Sequence, residues 1–179
     1  MSKKNFVYFE EKPVGGQLPS KCYHESACII GRPCLDVALI VNNELVLVER
    51  SVIPAKGLWL AGGRIHWDKF ENFFQYAALT VHEHFGIKVS QKNMTLLHPR
   101  SICLSKRPYP EVLLWVITTI SPKTFKKIRL SKIEQNSVVL IRNKNDLTKH
   151  FRVHNISKKH RDVFYDLWSE LIKKKIIKS

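Results

Sequence analysis

No apolar run in this chain approaches the roughly 20 residues that cross a bilayer, so a membrane-spanning helix is not expected. The opening stretch, MSKKNFVYFEEK, has no apolar h-region and does not read as a secretory signal. A cytoplasmic location is the expectation. The four cysteines, Cys22, Cys28, Cys34 and Cys103, show no CxxC spacing. Free thiols in a reducing compartment fit that pattern, and a metal knuckle with His24 is the alternative. Internal repeats and linkers are also missing, so strands and helices are expected to share one core.

Acidic residues are few. Lys and Arg number 30 against 15 Asp and Glu, a net charge of +15 in 179 residues. An excess of this size points to an anionic partner: a nucleotide, a nucleic acid or an acidic surface. It does not choose among them, and genomic base bias alone also produces a lysine-rich, glycine-poor chain. Apolar content of 44% with 10% aromatics fits a globular protein rather than a disordered one. The length suits one domain with a sizeable core.

Residues 1–35 read as an irregular extension packed on a domain formed by 36–179. Pro13, Gly15-Gly16 and Pro19 punctuate the extension and Gly31-Arg32-Pro33 ends it. Asp36–Val41 and Glu44–Glu49 are apolar and β-branched, and Asn42-Asn43 between them reads as a tight hairpin turn. Leu58–Leu60, Thr95–Leu104, Glu111–Ile120 and Ser137–Ile141 read as further strands. The run EVLLWVITTI is apolar enough for a central one. Asn143–His150 reads as a short helix. Lys158–Lys175 reads as an amphipathic helix with Val163, Phe164, Leu167, Trp168, Leu171 and Ile172 on one stripe.

The chain is organised around GLWLAGGRIHWDKFENFFQYAALTVHEHFGI, residues 57–87. Phe70, Phe73, Phe74, Ala77, Ala78, Val81 and Phe85 form one helical stripe, and Gly86 suits a helix C-terminus. Gly62-Gly63 is expected to allow a backbone geometry closed to other residues and to leave room for a ligand. Glu71 is expected near the helix N-terminus, where a carboxylate caps amides and favours the dipole.

This strand, Gly-Gly, loop, helix and Gly resembles the Nudix box, G-x5-E-x7-R-E-U-x-E-E-x-G-U with U aliphatic. Gly63, Glu71, Val81, Gly86 and Ile87 match its scaffold positions. The box is degenerate: Glu71 comes after seven residues rather than five, and Glu83 is the remaining one of the three glutamates at its end. The resemblance implies an α/β fold, a Nudix-like α/β/α sandwich with a mixed β-sheet between helices.

Within that superfamily the chain is most similar to the GDP-mannose mannosyl hydrolases. The run from Arg50 through Pro54, Gly57 and Trp59 to Gly62-Gly63-Arg64 carries the likeness, with Glu134-Gln135 and Val153-His154-Asn155. The resemblance implies that Arg50 and Arg64 hold a diphosphate, because guanidinium groups bind phosphate oxygens bidentately. It implies that the Gly62 carbonyl, a carboxylate near the helix end and Gln135 bind Mg2+ or Mn2+. The subgroup's helix carboxylate aligns with His84, and Glu83 stands beside it. By helical geometry His84 flanks the apolar stripe and Glu83 points away from it. Asn136 occupies the place of the subgroup's histidine base, and His66 in the lengthened loop is the conceivable replacement at the substrate. The alternatives are a surface role for Arg50, solvated or packing roles for Glu83 and His84, and an incidental His66.

The leading expectation is thus a metal-assisted hydrolase of a nucleotide sugar, GDP-mannose-like, or another nucleoside diphosphate derivative. Arg50, Arg64 and Glu83 are its catalytic candidates. The alternative is a catalytically inactive Nudix-fold nucleotide-binding or regulatory protein, supported by Leu79, Thr80, His84 and Asn136. Nucleic-acid binding, with KHFRVHNISKKHR as the candidate patch, is a third and less favoured reading. A homodimer is expected by family analogy.

Overall fold

The computed structural model describes residues 32–50, 57–65, 72–97, 99–102, 111–130, 135–154, 156 and 158–178. The side chains of Arg64, Gln135 and Asn136 fall outside that description, as do His66, Glu71, the extension before residue 32 and the proposed cysteine–histidine knuckle.

The hairpin comes first. Strands β1 (Arg32–Val41) and β2 (Glu44–Arg50) are antiparallel. Asn42 and Asn43 join them with φ of 50° and 65°. Two positive φ values in a two-residue loop make the type I′ turn, whose twist matches that of the strands. The first strand starts earlier than its apolar run suggests. Pro33 tolerates a strand start, where a missing N–H costs least, and its carbonyl accepts from the Ile65 amide at 3.2 Å.

The hairpin then splays, and the Gly-rich segment enters the gap. Strand β3 (Gly57–Trp59) pairs with the end of β2, and β4 (Ala61–Arg64) pairs with the start of β1. The chain turns at Leu60 between them. Strand β7 (Glu111–Thr119) lies parallel to β1 along its whole length. Its other edge takes β5 (Met94–Leu96) and β6 (Arg100–Ile102). The sequence suggests one strand here. Pro99 breaks it, since proline offers no ladder donor. Strand β8 (Gln135–Ile141) covers the outer edge of β2, giving a mixed eight-stranded sheet.

Alternation in β1 sorts the core into two layers. Leu35, Val37, Leu39 and Val41 face helix α1 (Phe73–Phe85), against Ala77, Val81 and Phe85. Cys34, Ala38 and Ile40 face α3 (Lys144–Val153) and α4 (Lys158–Lys173), against Phe151, Phe164, Leu167 and Trp168. Burial of each such large side chain contributes about 1.5–3 kcal/mol. The result is an α/β/α sandwich with a mixed sheet between helices. A short helix α2 (Pro122–Phe125), capped by Ser121, lies in the basic connection after β7.

Both ends of α1 are fixed by local chemistry. Asn72 accepts from the Gln75 amide at 2.9 Å and is the N-cap, the place expected for Glu71. Gly86 ends the helix with φ 67° and donates to the His82 carbonyl at 2.8 Å.

Candidate functional site

Of the site candidates, Arg50 lies on β2, Gly62 and Arg64 on β4, Gln135 on β8, and Glu83 and His84 on α1. Arg50 closes β2 and is flanked on its two edges by Gly57 and Gln135. The ladder with β8 shifts register between Glu49 and Arg50. Such an irregularity re-aims side chains at a strand end. Two of the residues expected to act together, Arg50 and Gln135, are therefore cross-strand partners. The backbone of Arg64 pairs with Cys34, and that of Gly62 with Asp36.

Asp36 is the residue that the sequence reading passes over. It is 2% exposed inside an otherwise apolar strand. Burial pushes its carboxyl from 3.8 up to about 7, against the lowering effects of a hydrogen bond from the Trp59 side chain and of the Arg50 charge. The available signal was a single carboxylate in the run CLDVALIV. Asp36 ties the wedge together: it is opposite Gly62 on β4, bonded to Trp59 on β3 and influenced by Arg50 on β2.

Glycine at position 62 is a matter of space. A Cβ there would collide with Asp36 Oδ1 and the Leu35 carbonyl oxygen, whereas a Cβ at Gly63 would meet nothing within 4 Å. Neither glycine has a positive φ, so the expected special backbone geometry is not the reason for the pair. The positive φ sits at Gly57, at 107°, where a Cβ would also run into Ile156 Cδ1.

A second polar group lies beside β3. Glu49 accepts from Ser137 Oγ at 2.9 Å, and its other oxygen lies 3.5 Å from His154 Nδ1. The His154 ring stacks near His150, with centroids 6.2 Å apart. Trp59 makes edge contacts with His160 and Phe164 at 5.0 and 5.4 Å. Of this group the sequence pointed to Trp59, in the run from Arg50 to Arg64, and to His154, through Val153-His154-Asn155.

Helix α1 packs on β4 and β1. Glu83 in its last turn is exposed and His84 half-buried, as helical geometry requires. Thr80 is buried and Leu79 is 39% exposed, so neither position offers a charge. Glu83 is the one carboxylate of α1. Among the described residues no group of three or more His, Cys, Asp or Glu side chains could hold a metal ion. Mg2+ and Mn2+ take several hard oxygen ligands, and two of the expected ones, the Gly62 carbonyl and the Gln135 amide, are not among those side-chain types. Among them, too, no helix is long and apolar enough to cross a membrane.

Neither protein-family models nor curated proteins match this sequence. Solved structures do match in shape. A bifunctional NMN adenylyltransferase/ADP ribose pyrophosphatase from Francisella tularensis, complexed with AMP and a manganese ion, aligns at TM-score 0.59 and 14% identity. That alignment covers 80% of this chain and 41% of the bifunctional one, so this chain spans less than half of that protein. The Nudix domain of Shewanella oneidensis NrtR, complexed with ADP ribose, aligns at 0.54 and 14% identity, over 74% of this chain and 88% of that one. An Ap4A hydrolase from C. elegans aligns at 0.54 and 12% identity, over 79% and 98%. At these identities the likeness is one of fold, and the fold is the Nudix fold.

Proposed function

We propose that this Nudix-fold chain binds a nucleoside diphosphate derivative, a GDP-mannose-like nucleotide sugar first among them, and hydrolyses it. The observation that carries the reading is the position of Arg50. It ends β2 between Gly57 and Gln135, close enough to the Asp36 carboxyl to lower its pKa. Arg50 and Arg64 are the diphosphate clamp in this reading. Two guanidinium groups neutralise the charge that builds on a leaving diphosphate. His66 would face the substrate and Glu83 would assist at the helix end. A divalent cation would fall to the Gly62 carbonyl, Glu83, His84 and Gln135.

The second reading is a nucleotide-binding protein without hydrolysis. The single exposed carboxylate on α1 favours it. Replacement of the base position by Asn136 points the same way, because an amide cannot take a proton at neutral pH.

The test is release of nucleotide from a panel of nucleotide sugars and dinucleoside polyphosphates, with Mg2+, with Mn2+ and with chelator, alongside calorimetric binding. Turnover abolished by Arg64→Ala supports the hydrolase. Saturable binding without turnover moves the chain to the second reading, and an Asn136→His variant that gains turnover would identify the missing base. Neither turnover nor binding would sink both.

A further inference from the structure

Among the described residues the positive charge is not spread evenly. Among the same residues, the layer of the sandwich formed by α1, the turn after it and the connection through α2 carries Lys88, Lys92, Lys123, Lys126, Lys127 and Arg129, all exposed, against the one carboxylate of Glu83. The elements are held together by backbone and core. The Arg129 amide donates to the Phe85 carbonyl at 2.8 Å, and the Arg129 Cβ sits 3.6 Å from where a Cβ on Gly86 would be. Phe125, Ile128 and Leu130 turn inward onto the same core layer as α1, so Lys126, Lys127 and Arg129 alternate outward. Lys88 is exposed in the same way between buried Ile87 and half-buried Val89.

The opposite layer differs. There His154 pairs with Glu49 at 3.5 Å and Arg100 with Glu170 at 3.5 Å. Asp146, Asp162 and Asp166 stand among the lysines of α3 and α4. The KHFRVHNISKKHR stretch belongs to this mixed layer. The ion pairs among the described residues, those two and Arg142 with Glu44 at 2.9 Å, involve none of the six cations of the α1–α2 layer.

We infer that the α1–α2 layer is a docking surface for the phosphate backbone of nucleic acid, read without sequence preference. Six exposed cations on one face, against one carboxylate among its described residues, supply the electrostatic term that drives backbone binding through counterion release. A bilayer is the poorer fit. Surface-bound membrane proteins bury an apolar face between their cations, and among the described residues of this layer the one large apolar side chain exposed is Leu79, at 39%. The inference is independent of the proposed hydrolysis.

The test is fluorescence anisotropy with a labelled 20-nucleotide RNA and a 20-base-pair DNA duplex, from about 50 to 200 mM salt. Binding is expected to weaken with a log–log slope of about −3 or steeper, as for four or more neutralised phosphates on a single strand. The charge-reversed variant Lys126→Glu/Lys127→Glu/Arg129→Glu should lose about 10-fold or more in affinity. The control Lys173→Glu/Lys174→Glu/Lys178→Glu, on the other layer, should lose less than about 3-fold. Circular dichroism verifies both folds, and the milder Lys126→Gln/Lys127→Gln variant serves if the triple reversal misfolds. Equal losses in the two variants would mean diffuse attraction and overturn the inference. So would no binding at 50 mM salt, or binding to phosphatidylserine vesicles with none to RNA or DNA.

Discussion

Asp36 and Gly62 face each other across β1 and β4, and the carboxyl of one fills the volume that any side chain on the other would need. Alanine at 62 would place its Cβ 2.7 Å from the Asp36 Cα, with backbone oxygen nearer still. Backbone cannot yield as a flexible side chain does. Gly62→Ala is therefore expected to destabilise by about 3 kcal/mol or more, at the upper end of overpacking costs. Gly63→Ala, with open space around it, should cost under about 1 kcal/mol. Urea unfolding of both variants checks this, and equal costs would refute it.

The raised carboxyl of Asp36 gives stability a pH dependence of defined sign. Its folded value of about 7 lies above its ordinary 3.8, so the folded protein holds this proton more tightly than the unfolded chain. The contribution of Asp36 is most favourable below about pH 4. It falls as pH rises to about 7 and is constant above that, a loss of about 4 kcal/mol at most. Asp36→Asn should remove this slope. The variant should be the more stable form at pH 8, and the two should converge near pH 4. Denaturation curves at pH 4.5, 6 and 8 test it, and parallel profiles for the two proteins would contradict it.

Arg50 has two separable roles. Its charge acts on Asp36, and its planar fork is suited to a diphosphate. Arg50→Lys keeps the first and loses the second. Affinity for a nucleoside diphosphate sugar is expected to drop about 10-fold, roughly 1.4 kcal/mol, with the pH profile of stability retained. Titration calorimetry measures it. Unchanged affinity would put the diphosphate elsewhere.

Helix α4 ends on a strained residue. Lys175 has φ 57°, its amide donates to the Ile172 carbonyl at 2.8 Å, and the Ile176 amide donates to that of Leu171 at 2.9 Å. These are the paired bonds of a Schellman motif, which favours glycine at the left-handed position. Lys175→Gly is expected to stabilise by about 1 kcal/mol, raising the melting temperature by about 2–4 °C. A lower melting temperature would contradict it.

Local chemistry made much of the fold legible in the sequence. Asn42-Asn43 names its own turn, Gly86 its helix end, and the stripes of 73–85 and 158–173 their buried faces, because each signal depends on residues within a turn or two of one another. The N-cap at Asn72 and the break at Pro99 were open to the same reading and were hidden by stronger neighbouring patterns, the carboxylate of Glu71 and the apolar run after Thr95. The break between β3 and β4 was not legible, since it depends on where β1 and β2 part.

The sequence by itself determined the hairpin and the two amphipathic helices, because hydrophobic periodicity sets which face of each element is buried, and the sandwich was what its resemblance to the Nudix box implied. Tertiary structure alone decided what Asp36 is, why position 62 admits no side chain and which face holds the six exposed cations. Burial, collision and charge imbalance are properties of neighbours distant in the chain: Asp36 with Gly62, and Phe85 with Arg129. No local pattern of residues encodes them.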